Sequence, residues 1–546
     1  MNDPYVKAIR WASDRIGGEG IVAFVTNSSF IDQGAFDSMR KCLGEDFTSV
    51  YVLDLGGNVR RNPKLSGTTH NVFGIQVGVS ISLLVRHDTT EAVHNIWCAR
   101  LDEWWRKEQK YNYLETNGAK SAVSWNLISP DANLNWLTAG MRSEFDSFLP
   151  LGDKGTRPHD EVHSIFNVFS NGVKTNRDAW IYNFSRGELE KNVEAMVATY
   201  NDNVLRWRHA ALKPANLDSF VTADEKRIGW SGDLKSAVLA GQSATFSTNH
   251  VRTTLYRPFT KKHLYFDRLL NNSVYRLPMI VPTEQTEAEN QLICLTGPGS
   301  EKPFLTLIAT SLTDLHLSGA GCSTQCFPFY TYAEDSTNRR ENITDWALEQ
   351  FRSHYHDTSI TKWDIFHYIY AVLHHPEYRE RYAANLRREL PRIPLAPVSS
   401  VPPVVKEVAV FRELVKAGQR LAEIHVHYEQ QPEYPLTKRE KAGERLAWRV
   451  TRMRLSKDKT TLTYNDFLTL SEIPKETYDY RPGNRSALEW VIDQYQVSTD
   501  KRSGITNDPN RADDPQYILR LIGQVITVSL ETVKIVRSLP PLGLAD

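Results

Sequence analysis

The chain has 546 residues, which is several times the size of one ordinary domain and predicts three or four packed bodies. Its 41% hydrophobic, 24% charged and 10% aromatic residues exclude disordered and fibrous classes. Basic and acidic residues both total 65, so a nucleic-acid role would require local basic surfaces. Five scattered cysteines favour a reducing compartment, which we take as the cytoplasm, and no long apolar run predicts a membrane span.

The first ninety residues alternate helices with apolar strands. Helical spacing of apolar residues over 8–16 is followed by a glycine-rich turn at 17–20, and a second helix carries Phe36, Met39 and Leu43. The predicted strands are residues 21–25, which read as buried, 50–55 and 77–85. Such alternation is typical of an α/β sheet. We interpret this region as the last half of a sheet whose first half lies outside these residues.

The rest of the chain is predicted to be a mixed α/β region with a helical unit. Short strands are expected around 165–169 and 292–295, and helices over 344–390, where Thr361 and Asp364 form a capping box. Five prolines in residues 391–405 predict an extended connector. Beyond it we expect a helix over 411–428, short strands over 446–480, and a last helix over about 515–538.

Three stretches have residue types that bind phosphates or base edges. Residues 378–392 contain five arginines, and the loop at 172–178 includes Lys174, Asn176 and Arg177. The third stretch, between Leu436 and Thr460, has Trp448 among nine basic residues, which are Lys438, Arg439, Lys441, Arg445, Arg449, Arg452, Arg454, Lys457 and Lys459. Each stretch has an ordinary alternative, a solvated face for the two basic ones and a polar loop for 172–178.

Several strings, in order along nearly the whole chain, resemble the Type ISP restriction-modification enzymes. IRWASDRI, GIVAFVTNSSFI, VYVLDLGGN and NVFGIQVGVSISLLVR are similar to methyltransferase segments that follow the family's catalytic Asn-Pro-Pro-Tyr motif. IFNVFSNGVKTNRDAWIYN, LYRPFTKKHLYFD, DIFHYIYAVLHHPEYRERYAANLRRELPRIP and NRSALEWVIDQYQVSTDKRSGITNDPN resemble its C-terminal specificity region.

The resemblance implies a Rossmann-like methyltransferase sheet, of which this chain has the C-terminal half, followed by target-recognition parts. We expect residues 1–115 to belong to an N6-adenine methyltransferase domain, 116–340 to the first target-recognition part, 341–395 to a helical unit and 396–546 to the C-terminal specificity part. Phe73 is the candidate that stacks on the flipped adenine, with core packing as its alternative. The DNA-binding candidates are Lys174, Asn176, Arg177, Arg257, Lys261, Lys262, Arg449, Arg452 and Arg454.

The sequence departs from the family at the catalytic motif and the cofactor loop. Asn2-Asp3-Pro4-Tyr5 has one proline too few and no preceding strand, and the turn at 17–20 precedes a strand instead of following it. We therefore expect S-adenosylmethionine to serve the complete enzyme and not to bind this chain alone. The expected partners are double-stranded DNA and a polypeptide with the other methyltransferase half, and possible nuclease and translocase parts. The alternative is a non-enzymatic specificity subunit.

Two other patterns are weak. Cys322 and Cys326, with His316 nearby, lack the second ligand pair of a structural zinc site. His374 and His375 precede a proline at a predicted helix end, where we expect surface or capping residues.

Overall fold

The computed structural model describes residues 3–59, 69–88, 94–131, 134, 136, 141–153, 163–210, 216–300, 302–396, 405–444 and 446–544. Within 405–444, side chains are described from residue 409 onwards. It divides into two compact units, which we treat separately. Unit 1 comprises Met1–Arg142 with Pro298–Lys302 and Ala384–Glu389, and unit 2 comprises the remainder.

Unit 1 contains one five-stranded sheet with helices. Its elements are α1 (Pro4–Arg15), β1 (Gly20–Asn27), α2 (Asp37–Asp46), β2 (Ser49–Gly56), β3 (Val79–Arg86), β4 (Asn95–Arg100), α3 (Lys107–Thr116) and β5 (Asn126–Ile128). The strand order is β1-β3-β2-β4-β5, with β3 antiparallel to both of its neighbours and β2 parallel to β4. Strands β1, β2 and β4 therefore run in the same direction. The two predicted helices and three predicted strands are confirmed.

Only one face of β1 is buried in unit 1. Val22 packs with Val50, Leu84 and the helix residues Ile9 and Met39 in one core. The alternate side chains Ile21 and Val25 are 68% and 52% exposed. The prediction of a buried strand at 21–25 was therefore wrong for this face, because none of the described residues covers it.

Unit 2 contains most of the remaining elements. The helices outside those above are α4 (Asp178–Ile181), α5 (Arg186–His209), α6 (Gly232–Leu239), α7 (Glu284–Glu289), α8 (Asp345–Tyr355), α9 (Lys362–His374), α10 (Pro376–Arg381), α11 (Ala383–Arg388, mostly counted in unit 1), α12 (Val405–Val426), α13 (Ala487–Gln494) and α14 (Tyr517–Arg537).

The strands of unit 2 are short. They are β6 (Leu149–Pro150), β7 (Ser170–Asn171), β8 (Tyr182–Asn183), β9 (Val251–Arg257), β10 (Thr260–Tyr265), β11 (Leu292–Thr296), β12 (Thr306–Ala309), β13 (Leu312–Thr313), β14 (Thr324–Pro328), β15 (Tyr330–Thr331), β16 (Arg340–Glu341), β17 (Arg392–Ile393), β18 (Thr437–Glu440), β19 (Arg454–Leu455), β20 (Thr461–Thr463), β21 (Leu468–Ser471), β22 (Ser498–Thr499) and β23 (Thr506–Asn507). Three four-stranded sheets have the orders β13-β9-β10-β8, β12-β11-β14-β7 and β18-β21-β20-β19. One core cluster joins side chains of all three sheets with α14. The fold is therefore mixed α/β, as predicted.

The strand predicted at 165–169 is wrong, whereas the one at 292–295 is confirmed as β11. Phe166 forms only an isolated bridge to Ile343, because consecutive backbone amides bond to different segments: Phe166 N donates to Leu151 O and Asn167 N to Asn342 O. The capping box of Thr361 and Asp364 is confirmed at the start of α9. Residues 397–404 of the predicted proline connector lie outside the described residues, and α12 already begins at Val405.

Candidate nucleic-acid interface

The C-terminal sheet of unit 2 has an apolar face and a polar face. Leu462, Leu468 and Leu470 alternate along β20 and β21 and are buried in the core. The residues between them therefore point to the opposite side of the sheet. Strand pairing places Arg439 opposite Thr469, Thr469 opposite Thr463, and Thr463 opposite Arg454. These four side chains form one row across all four strands, which we call the Arg/Thr row.

The two arginines at the ends of the Arg/Thr row are free to bind a ligand. Arg439 and Arg454 are both exposed, and neither forms an ion pair with a residue that the structure describes. A second row, Thr437, Ser471 and Thr461, lies beside the first on the same face. Hydroxyl and guanidinium groups on one surface are the groups with which proteins bind DNA phosphates.

The predicted arginines of this region differ in their surroundings. Arg449 is exposed and pairs with Asp508, whereas Arg452 is exposed on the irregular segment before β19. Arg445 lies outside the described residues. The sequence analysis did not predict that Arg439, Thr463 and Thr469 would be aligned in one row. The signal was present as leucines alternating with threonines over 461–471, but the pairing register that aligns four strands is not readable from one strand.

Of the predicted contact residues in the loop at 172–178, some lie at the surface and one lies in the interior. Asn176 is exposed and Lys174 is half-buried, so both are within reach of a ligand. Arg177 is buried, and its guanidinium donates to Gly229 O at 2.9 Å, to Leu270 O and to Ser231 Oγ. Burial lowers the pKa of Arg177 to about 10. A DNA contact by Arg177 stays a prediction, and its bonds within unit 2 give it a structural role.

Arg257 and Lys262, on β9 and β10, belong to a mostly buried polar network. Arg257 pairs with Asp314 at 2.7 Å, and Tyr256 Oη donates to Asp178 Oδ2 at 3.0 Å, which links the strands to the loop at 172–178. The Lys262 ammonium lies 4.1 Å from the centroid of the Tyr256 ring. Burial, and then the nearby Arg257, lower the pKa of Lys262 to about 7.

Lys261 is only partly exposed. Its ammonium pairs with Glu429, which also accepts from Tyr517 Oη at 2.6 Å. Lys261 therefore already has an acidic partner, as Arg257 does. DNA contacts by Arg257, Lys261 and Lys262 stay predictions.

Phe73 of unit 1 lies on an ordered turn and is 63% exposed. The buried Asn71 organises this turn: its Oδ1 accepts from Phe73 N at 2.9 Å and Ile75 N at 3.3 Å, and its Nδ2 donates to Val77 O at 2.6 Å and to Gly57 O. Gly57 allows this close approach, since a Cβ there would lie 2.6 Å from His70 O. Core packing, the alternative for Phe73, does not fit its exposure.

A polar cavity of about 310 Å³ lies in unit 1 at the carboxyl ends of β1, β2 and β4. Its walls include Ser28, Asp32, Asp54, Gly56 and Arg100. Arg100 Nε donates to Asp54 at 2.8 Å. Burial would lower the pKa of Arg100, but Asp54 and Asp32 raise it above its usual value. Ligands of open α/β sheets bind at this end of the strands, so the cavity is a candidate site.

The cysteine and histidine pairs are interior. Cys326 Sγ lies 3.7 Å from Cys294 Sγ on the neighbouring strand, and Cys322 contacts Ser318. The residues that the structure describes include no group of three or more His, Cys, Asp or Glu that could hold a metal ion. His374 is buried within α9, so its predicted surface position was wrong, whereas His375 caps α9 and α10. Among the described helices, none is long and apolar enough to span a membrane.

Comparison with known proteins gives a family and several similar structures. The model of the Type ISP C-terminal specificity domain matches residues 164–521. A nuclease-deletion mutant of the Type ISP restriction-modification enzyme LlaGI, in complex with a DNA substrate mimic, is similar with a TM-score of 0.85 and 34% identity. That match covers 100% of this chain and 49% of the LlaGI chain. Comparison with curated proteins gives no match.

Two further structures are similar. The DrdV–DNA complex has a TM-score of 0.84 and 36% identity, covering 98% of this chain and 52% of that chain. The ATP-dependent Type ISP restriction-modification enzyme LlaBIII bound to DNA has a TM-score of 0.85 and 31% identity, covering 99% and 34%. The chain thus spans about half the length of the first two proteins and a third of the last. It belongs to the Type ISP restriction-modification family.

Proposed function

We propose that this chain recognises duplex DNA as the specificity part of a restriction-modification system. The Arg/Thr row carries the proposal, because its exposed arginines have no acidic partner among the described residues and its threonines add hydroxyl donors. Three strand spacings separate Arg439 from Arg454 by about 14 Å, comparable to a DNA groove. The DNA complexes of the three similar proteins support the same partner.

Reversing the charge of the Arg/Thr row tests this function. We expect Arg439→Glu with Arg454→Glu to weaken binding to every duplex sequence and to reduce the slope of log affinity against log salt by about 2. Fluorescence anisotropy with a labelled duplex at several salt concentrations measures both effects. Arg227→Glu, which reverses an exposed arginine outside this sheet, is the matched control. A folded double variant with the wild-type slope would contradict the proposal.

We further propose that unit 1 contributes to adenine N6 methylation in the complete enzyme, as the family resemblance implies. An α/β segment with the cofactor loop and catalytic motif would extend the sheet beside β1, whose outer edge pairs with no strand of the described residues. The turn at 17–20 does not fit S-adenosylmethionine, because it lies at the amino end of β1. If calorimetry showed that this chain alone binds S-adenosylmethionine, the proposal that the cofactor site lies in the other segment would be contradicted.

Variants of Phe73 can distinguish a role in methylation from the alternative, a non-enzymatic specificity subunit. An exposed aromatic ring on a fixed turn is suited to stack on a base that has left the duplex. We expect the chain to bind a duplex with one mismatched adenine about 10 times more tightly than the matched duplex, since the cost of opening is lower. Phe73→Ala should abolish this ratio, whereas Phe73→Trp and the control Trp104→Ala should keep it. An unchanged ratio in Phe73→Ala favours the specificity subunit.

A further inference from the structure

Two loops of unit 2 meet through their backbones. Lys174 N donates to Ser273 O, and Ser273 N donates to Lys174 O, both at 2.9 Å. The Asn176 side chain donates to Asn272 Oδ1 at 2.7 Å. Residues 174–177 and 271–276, which we call the paired loops, are therefore fixed relative to each other, although they are almost a hundred residues apart in sequence.

The paired loops hold two exposed side chains on unusual backbone. Asn176 has a φ of 57° and Tyr275 has a φ of 47°, both in the left-handed region. Asparagine tolerates this conformation, but a bulky aromatic residue adopts it only with backbone strain. Tyr275 is nevertheless 39% exposed, so core burial does not explain the strain. Strained exposed residues are typical of positions that contact a ligand.

Arg177 supports the paired loops from the interior. Its guanidinium joins the first loop to Leu270, the residue before the second loop, and to Gly229 and Ser231 on a third segment. Arg177 is only 5% exposed, and its guanidinium is bonded within unit 2, so we assign it the positioning of the loops. Lys174 and the exposed Arg276 also belong to the paired loops and add positive charge to them.

We propose that the paired loops read base edges in duplex DNA, with Asn176 and Tyr275 as specificity-determining contacts and Arg177 as the positioning residue. Asn176 keeps its Oδ1 and one amide hydrogen without a partner among the described residues. An asparagine amide pairs with the N6 and N7 atoms of adenine, and an aromatic ring packs against the methyl group of thymine. This inference rests on the DNA recognition proposed above and assigns its sequence preference to these residues.

Selection from a pool of randomised duplexes tests the paired loops. We expect Asn176→Ala and Tyr275→Ala to change the enriched sequence at one or two base pairs, each losing about 10-fold in preference. Their affinity for an unrelated duplex should stay within about twofold, because phosphate contacts are untouched. Asn249→Ala, an exposed asparagine outside the paired loops, is the control. Enriched sequences unchanged in both variants would overturn the inference.

Arg177 has a separate readout. Arg177→Met should weaken the sequence preference at the same base pairs. It should leave the slope of log affinity against log salt for nonspecific binding unchanged, since a positioning residue makes no phosphate contact. A slope reduced by about 1 would instead identify a phosphate contact. If Arg177→Met fails to fold, the Asn176 and Tyr275 variants still decide the main inference. A wild-type chain that binds DNA without enriching any sequence overturns this inference alone, whereas one that binds no DNA contradicts the proposed function.

Discussion

Units 1 and 2 differ in how completely they bury their apolar side chains. Unit 1 is much the smaller, yet it has eight of the thirteen large exposed hydrophobic residues of the described chain, namely Trp11, Ile21, Val25, Phe73, Ile75, Trp104, Tyr111 and Leu127. Unit 2 has Leu205, Leu239, Tyr275, Met279 and Leu446. Contiguous exposed apolar surface marks an interaction site. Unit 2 therefore buries its apolar side chains more completely, which we call closed packing, whereas unit 1 has exposed apolar surface that another layer of structure could cover.

The exposed apolar surface of unit 1 continues across two strands. Ile21 and Val25 of β1 are opposite the half-buried Val85 and Ile81 of β3, so all four side chains lie on one face. The outer edge of β1 also has unpaired backbone groups with respect to the described strands. An added strand would satisfy the edge and a helix would cover the face, which is the arrangement of an α/β layer.

The largest effect is expected from making this face polar. We expect the chain alone to self-associate through this face and Ile21→Lys with Val25→Lys to abolish that self-association, because each exposed side chain contributes about 1.5–3 kcal/mol when buried against another surface. Light scattering over a concentration series measures the change. Leu205→Lys with Leu239→Lys, two exposed leucines of unit 2, is the matched control and should leave self-association unchanged. If the wild type and both variants showed the same self-association, the proposed difference between the two units would be contradicted.

The sequence predicted the elements of unit 1 but not its exposed face. The run GIVAFVTN is apolar on both sides, which is typical of a strand covered on both faces, and the pattern does not show whether the covering residues belong to the same chain. The contact residues were likewise predicted only in part. The loop at 172–178 was found by its composition, but the inward direction of Arg177 depends on Leu270 and Gly229, which are distant in sequence.

The closed packing of unit 2 predicts acid sensitivity from its interior histidines. Burial lowers the pKa of His374 to about 3 and that of His425 well below its usual value. His425 Nδ1 and Nε2 lie 2.7 Å from Tyr370 Oη and 2.9 Å from Thr532 Oγ1. Because the unfolded chain binds protons near pH 6.5 and the folded chain does not, the stability present above pH 6.5 is lost as the pH falls toward the folded pKa.

We therefore expect the Tm to fall by several degrees between pH 6.5 and pH 5, since each histidine that stays neutral in the folded chain costs at most about 1.4 kcal/mol of stability per pH unit below 6.5. Differential scanning calorimetry at several pH values measures it. His425→Gln retains an amide that donates and accepts hydrogen bonds and should halve this part of the pH dependence, whereas His427→Gln, at an exposed neighbour, should leave it unchanged. A pH dependence that is the same in His425→Gln as in the wild type would show that water reaches these side chains, and that unit 2 is less completely closed than its packing indicates.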